Sequence, residues 1–364
     1  MSSETADRER GDETRPRPAR RRGGRPDHAK ATIARVAEMA GVSRATVSRV
    51  MNGSPTVAPE LAERVRTAAE ALNYEPSQVA RSLALGRTST VSLIVPDLAN
   101  PMFQDVLRGL SNAAGREGHR LLVAETGENA EEEAILAVEA RRRSDGLVLA
   151  SPRMPEAELR ALSERVAPLV LLNREILGST VPSLSVDYAA GMREIVTHLL
   201  GLGHRHLAYL SGPAASAPNR DRIAVLRAAS AGDPGFTLTE LECGSTFEDG
   251  HAIAQAVVAT GASAVVAYND MVAFGTLSGL HELGVPVPGE ISITGFDDIP
   301  FARYTTPPLT TASIPKNELG SQAWSRLWAL MHGEPGGYNV RFQPRLIVRE
   351  STGPAPAARR RRTR

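Results

Sequence analysis

The run 31–53, ATIARVAEMAGVSRATVSRVMNG, constrains this chain more than any other stretch. It holds two short apolar-periodic segments that meet at Gly41. Thr32 is a good N-cap, and Ile33, Val36, Ala37 and Ala40 follow at helical spacing. Gly41 permits a tight turn, and Val42 is its apolar plug. Ser43 can cap a second helix in which Ala45, Val47 and Val50 take the inward or packing positions. Arg44, Thr46, Ser48 and Arg49 are then available on its outer side, and Asn52-Gly53 closes it. Two helices joined this tightly, the second lined with donors, make a helix-turn-helix reader of the DNA major groove. Pro59 opens a third helix with Leu61, Val65, Ala68, Ala69 and Leu72 as its core stripe.

The charge distribution fits such a reader. The chain of 364 residues has a net charge of +1, yet residues 1–90 carry 16 Lys/Arg against 11 Asp/Glu. Residues 355–364 add five arginines and no acid, whereas residues 91–354 hold 21 basic and 30 acidic residues. Basic ends on an acidic body suit a protein that meets polyanions only at its ends, although basic tails also serve as solubilising ends. Residues 1–30 have almost nothing to bury and read as disordered, as does the tail 353–364 ending RRRRTR. The single cysteine, Cys243, excludes an intrachain disulfide and a cysteine-based metal cluster. No run of about 18 apolar residues predicts a membrane span, and no apolar signal core follows the start, so the expected compartment is the cytoplasm.

Between these parts lies SQVARSLAL, at 77–85. It is too short to be a stable helix alone. Val79, Ala80 and Leu83 suggest a helix that forms only against a partner subunit or DNA; an ordinary linker is the other reading. From Thr90 the period changes. SLIVP, RLLVAE, GLVLA and PLVLLN read as strands alternating with helices, and a second series follows with SLSV, HLAYLSG, AVVAYN and ISITGF. This order predicts an α/β body of two lobes with doubly wound parallel sheets and a cleft between them. TTPPLTTASIP reads as a crossing segment, with a helix near 316–332 and a late strand near 345–348. The chain thus divides into tail 1–30, an all-α helix-turn-helix domain 31–76, hinge helix and linker 77–89, a two-lobed domain 90–352, and tail 353–364.

TIARVAEMAGVSRATVSRVMNGSPTV and LNYEPSQVARSLALGRTSTVSLIVPDLANPMF resemble the lactose/galactose repressor family of bacterial regulators. So do SDGLVLASP, SLSVDYAAG, LLGLGHRHLAYLSGP, NRDRIA, AVVAYNDMVAFG and ISITGFDDIPFARYTTPPLTTASIP, and the likeness covers about residues 31–350. It implies a periplasmic-binding-protein-like body. It also implies that Arg44 and Ala45 choose bases, that Arg49 is a further DNA contact, and that Thr32, Ser43, Thr46, Ser48 and Asn52 anchor phosphates. Leu83 becomes a minor-groove wedge, with Val79 and Ala80 packing between partners or against DNA. Arg220, Asn269 and Asp297 match ligand-contacting positions, with Asp97, Asn100 and Phe103 on the opposite wall. Asn100 is equally readable as a helix cap. The segment ECGSTFEDG departs from the family: Ser245 stands where an aromatic is expected, with Phe247 two positions on.

The expected protein is a homodimeric, effector-responsive regulator of double-stranded operator DNA, most simply a repressor. It needs no cofactor or metal, and its effector is a sugar or a nucleoside-like metabolite. Dimer contacts are expected on the helices after SLIVPD and after AYND, where Val272, Leu277 and Leu280 serve either a partner or their own lobe. The rival reading is a small-molecule-binding protein with a vestigial DNA module. The eight histidines form no HExxH pattern, and no GxSxG elbow or phosphate loop is present, which argues against an enzyme.

Overall fold

The computed structural model describes residues 31–74 and 86–356, which fall into two compact units dividing near residue 81. The hinge residues Val79, Ala80 and Leu83 lie outside the described residues.

The first unit is three helices, α1 (Ile33–Ala40), α2 (Arg44–Met51) and α3 (Pro59–Ala71). Thr32 and Ser43 cap α1 and α2 with their hydroxyls, accepting from Arg35 N and Thr46 N. Gly41 ends α1 in the left-handed region at φ 63°, and the Arg64 guanidinium lies against the space a side chain would need. Val36, Ala37, Ala40, Val47, Val50, Val65, Ala68 and Ala69 form its core.

The second unit holds two six-stranded sheets. The first lobe contains β1 (Thr90–Val95), α4 (Pro101–Arg116), β2 (Arg120–Glu125), α5 (Ala130–Arg141), β3 (Gly146–Ala150), α6 (Glu156–Arg165), β4 (Leu169–Leu172) and β5 (Ser183–Val186). The second contains α7 (Tyr188–Gly201), β6 (His206–Ser211), α8 (Ala217–Gly232), β7 (Thr237–Glu242), α9 (Phe247–Ala252), α10 (Ala254–Thr260), β8 (Ala264–Ala267), α11 (Asp270–Glu282), β9 (Ser292–Asp297) and β10 (Thr310–Ser313). The chain then returns to the first lobe with α12 (Lys316–Met331) and β11 (Val340–Phe342), and ends in the second with β12 (Arg345–Ile347). Strand orders are β11-β5-β4-β3-β1-β2 and β12-β10-β9-β8-β6-β7; all pairings are parallel except β12 with β10.

Alternation along the first-lobe strands explains the helices on both faces. Val91, Leu93 and Val95 pack with Phe103, Val106 and Leu110 of α4 and with α12. Ile94, Leu147 and Leu149 face the other way, onto α5 and α6. Two helix pairs approach backbone to backbone. A methyl group at Gly109 or Gly320 would collide with the Asn317 or Val106 carbonyl, which fixes α4 against α12. Gly250 and Gly275 do the same for α9 against α11, facing the Val272 and Phe247 carbonyls.

The expected crossing segment TTPPLTTASIP is largely not one: Thr310–Ser313 forms β10 inside the second sheet, and the chain crosses at Ile314–Pro315. Strands β7 and β11 were not expected. Both carry polar residues at half-exposed positions and lack an apolar run. Val272, Leu277 and Leu280 are buried within their own lobe, so that face of α11 packs internally.

Candidate functional site

In the three-helix unit, α2 presents Arg44, Ala45 and Arg49 on its exposed side, while Val47 and Val50 turn inward. Ala45 is a correction to the packing assignment: the N-cap at Ser43 sets the helix phase so that residue 45 shares the outer side with Arg44. Thr46 Oγ1 lies 2.9 Å from Ser43 Oγ, and Asn52 Nδ2 donates to Ser48 Oγ at 3.4 Å. Thr32 and Ser43 are exposed at helix starts, where N–H groups favour anions. Neither Arg44 nor Arg49 has an ion-pair partner among the described residues, so both guanidinium groups are free for an external acceptor.

The two-lobed unit places its polar residues at the carboxyl ends of the strands, where open α/β sheets bind ligands. Asp97, Asn100, Phe103, Glu128, Ser151 and Arg153 come from the first lobe. Tyr188, Arg222, Ser245, Tyr268, Asn269 and Asp297 come from the second. The space between these walls is about 390 Å³, part of it open to solvent.

Arg222 dominates the cleft. It is 2% exposed and its guanidinium sits 4.6, 4.7 and 4.1 Å from the ring centres of Tyr188, Tyr268 and Phe296. Nη1 donates to Tyr268 O at 2.7 Å, Nη2 stands 3.9 Å from Asp297 Oδ1, and Nε has no partner among the described residues. Burial pushes the Asp297 carboxyl up to about 6, with Arg222 and Lys316 pulling the other way. Asp297 has φ 110°, a strained backbone for a side-chain-bearing residue, and Asp298 follows at φ 52°. An unpaired N–H beside a buried carboxylate, walled by aromatic rings, offers donors and acceptors together. Those are what a polyhydroxylated ring requires.

The opposite wall carries a second ion pair. Arg153 donates to Glu128 through Nε at 2.5 Å and Nη2 at 2.9 Å, and Nη1 donates to Ser151 O. Burial raises the Asp97 carboxyl, with Glu125 and Glu128 adding to the rise. Asn100 caps α4, its Oδ1 accepting from Met102 N at 2.9 Å, while lining the cleft. Asn269 similarly caps α11 through Val272 N and donates to Ser245 O.

Five of the six expected cleft residues, Asp97, Asn100, Phe103, Asn269 and Asp297, come together here. Arg220 does not. It is exposed, and its Nη1 donates to Ala215 O at 3.0 Å. Residues 220 and 222 are two apart on α8 and face different sides, so only Arg222 enters the cleft. Ser245 does line it, whereas Phe247 is half-buried and packs against the core; the aromatic wall comes from Tyr188, Tyr268 and Phe103 instead. Glu128, Arg153 and Tyr188 were missed, and only their placement after strands could have flagged them. Among the described residues, no group of three or more His, Cys, Asp or Glu side chains could hold a metal ion, and no helix is long and apolar enough to cross a membrane.

Residues 32–77 match the family of bacterial regulatory proteins named lacI, and residues 196–352 match a periplasmic binding protein-like domain. The chain is 34% identical to the HTH-type transcriptional regulator GalR of Escherichia coli K12, across 88% of this chain and 95% of that protein. It is 32% identical to the HTH-type transcriptional repressor PurR of Vibrio vulnificus, across 88% and 98%. A crystal structure of the Lac repressor dimer bound to operator and the anti-inducer ONPF is similar at TM-score 0.79 and 27% identity, covering 89% of this chain and 99% of that one. With relatives above 30% identity along nearly their whole length, this chain belongs to the LacI family of bacterial transcriptional regulators.

Proposed function

We propose that the chain works as a homodimeric cytoplasmic repressor whose operator grip is set by a small polyhydroxylated effector, a sugar before a nucleoside, held between Arg222 and Asp297. The observation that carries this reading is the pairing of a buried guanidinium bearing a free Nε with a buried carboxylate, framed by Tyr188, Tyr268 and Phe296. The rings that line the cleft, Tyr188, Tyr268 and Phe103, suit the apolar face of a sugar ring, and the two charged groups suit its hydroxyls. Asp97, Asn100, Phe103 and Asn269 supply further contacts, with Ser245 beside them in the cleft lining. Structures of LacI-family regulators with bound ribose, from Enterococcus faecium, and of CelR with cellobiose share the fold at 27% and 28% identity.

At the other end, Arg44 and Ala45 read base edges and Arg49 adds a further contact. Thr32, Ser43, Thr46, Ser48 and Asn52 hold phosphates. Leu83, with Val79 and Ala80, wedges the minor groove at the centre of a two-fold site. The working domains are 31–76, 77–89 and 90–352, flanked by basic tails. Lobe movement on effector binding changes the spacing of the two hinge segments; a coupling of about 1–3 kcal/mol alters operator affinity roughly 5- to 150-fold.

Selection of bound duplexes from a random pool tests the reading, repeated with D-ribose, D-galactose, cellobiose and adenosine. A roughly palindromic site is expected. Its affinity should fall in Arg44→Ala and Leu83→Ser, and one sugar should shift it. Asp297→Ala should lose that shift while still binding the site. No selective site from the wild-type chain would leave a small-molecule-binding protein with a vestigial DNA module.

A further inference from the structure

The strained acidic turn at the end of β9 is held by a cation from the other lobe's helix layer. Lys316 opens α12, is 8% exposed, and donates through Nζ to Asp297 O at 2.5 Å and Asp298 O at 2.8 Å. Both acceptors belong to residues in left-handed conformations, so successive carbonyls turn toward the ammonium. Such a backbone is strained for a residue with a side chain and persists only where its surroundings hold it. The rest of the turn is held from within its own lobe. Arg349 Nη2 pairs with Asp298 Oδ1 at 2.6 Å, and Ile299 N donates to Asp270 Oδ2 at 2.8 Å.

Helix α12 itself packs with α4, β3, β4 and β5 of the first lobe and is locked to α4 at Gly109 and Gly320. Its first residue lies immediately after the crossing at Ile314–Pro315. Lys316 therefore joins a rigid helix pair of one lobe to the backbone that aims the Asp297 carboxylate from the other. Being beside the crossover, it has a short lever arm.

We propose that Lys316 is a positioning residue for effector recognition: its ammonium holds the Asp297–Asp298 carbonyls and so ties the orientation of the Asp297 carboxylate to the position of α12. This rests on the reading of Asp297 as an effector contact. The titratable and charged groups that interact with the carboxylate are Arg222, Lys316, Asp270 and Tyr188, and only Lys316 comes from the first lobe's helices.

The full chain is labelled with ¹³C at aspartate γ-carboxyls and titrated by NMR, with Asp297→Asn identifying the resonance. In Lys316→Met the Asp297 titration should move above its starting value near 6, because a nearby cation is gone. Lys316→Arg should return it, since Arg restores charge and donors at similar reach. In parallel, isothermal titration uses D-ribose, D-galactose and cellobiose. A sugar that binds the wild-type chain should bind Lys316→Met at least tenfold more weakly and Lys316→Arg nearly normally. Should Lys316→Met fail to fold, Lys316→Gln keeps N–H donors without the charge and is read in the same way. An unmoved Asp297 titration in a folded Met or Gln variant overturns the proposal. Failure of every sugar to bind the wild-type chain counts against the sugar reading, and the titration still decides the role of Lys316.

Discussion

Replacing Arg222 by Met removes a cation on which the buried Asp297 carboxylate depends, and the effect should appear as a change in how stability varies with pH. Burial raises the Asp297 carboxyl to about 6 from an ordinary 3.8, although Arg222 and Lys316 oppose the rise. The folded chain therefore keeps this proton to a higher pH than the unfolded chain does. Stability falls as pH rises from about 4 to about 6 and then levels, a loss of about 3 kcal/mol at about 1.4 kcal/mol per pH unit. Without Arg222 the proton is held further up, so the fall continues past pH 6. At pH 5 Asp297 is mostly neutral in both proteins, and the difference between them reflects packing against the three rings. By pH 7 the variant should have lost about 1 kcal/mol more than its parent, and the gap should widen toward pH 8. Protonation limits the damage, because a carboxyl that can neutralise itself never bears the full cost of an unpaired buried charge. Urea unfolding at pH 5, 6, 7 and 8 measures this. The only two tryptophans, Trp324 and Trp328, lie on α12, so their fluorescence reports the two-lobed unit. Identical pH slopes above pH 6 for the two proteins would refute the coupling between Arg222 and Asp297.

Two further outcomes follow from packing. Gly320→Ala drives a methyl group into the Val106 backbone and should destabilise the two-lobed unit by about 1–3 kcal/mol, whereas Gly115→Ala on α4 meets open space and should stabilise by up to about 1 kcal/mol; thermal melts of the two variants compare them directly. Asp270 is buried, its pKa raised well above the ordinary range by burial and then by Asp297, and it accepts from Thr311 Oγ1 and Ile299 N. Asp270→Asn should stay within about 1 kcal/mol of the parent in urea titration, and Asp270→Ala should lose about 1–3 kcal/mol by stranding both donors.

The reading helix and the alternation of strands and helices were legible because each rests on local periodicity and capping. Thr32, Gly41 and Ser43 act in the three-helix unit as their chemistry dictates. Edge strands were not legible. The residues of β7, TLTELE, are only half buried and so need no apolar run. The choice between Arg220 and Arg222 was likewise hidden. Spacing says that one of the two faces inward, but the phase depends on where α8 starts, at the cap provided by Ser216. Glu128 and Arg153 lie 25 residues apart on different loops, and nothing local links them. Lys316 reads in sequence as an ordinary lysine after a proline; its role depends on two carbonyls 18 and 19 residues away.

The three crossings between lobes have a consequence for how such a chain can be rebuilt. The first lobe is assembled from residues before Tyr188 together with α12 and β11, and the second closes only with β12. Neither lobe corresponds to one continuous stretch of gene. A recombination point inside residues 90–347 therefore splits a sheet or strands a helix from its partner. The three-helix reader, by contrast, is one uninterrupted block with its own core. New pairings of signal and operator are accessible by a single cut between the two units. New sensing specificities within the body must arise by substitution along the cleft walls.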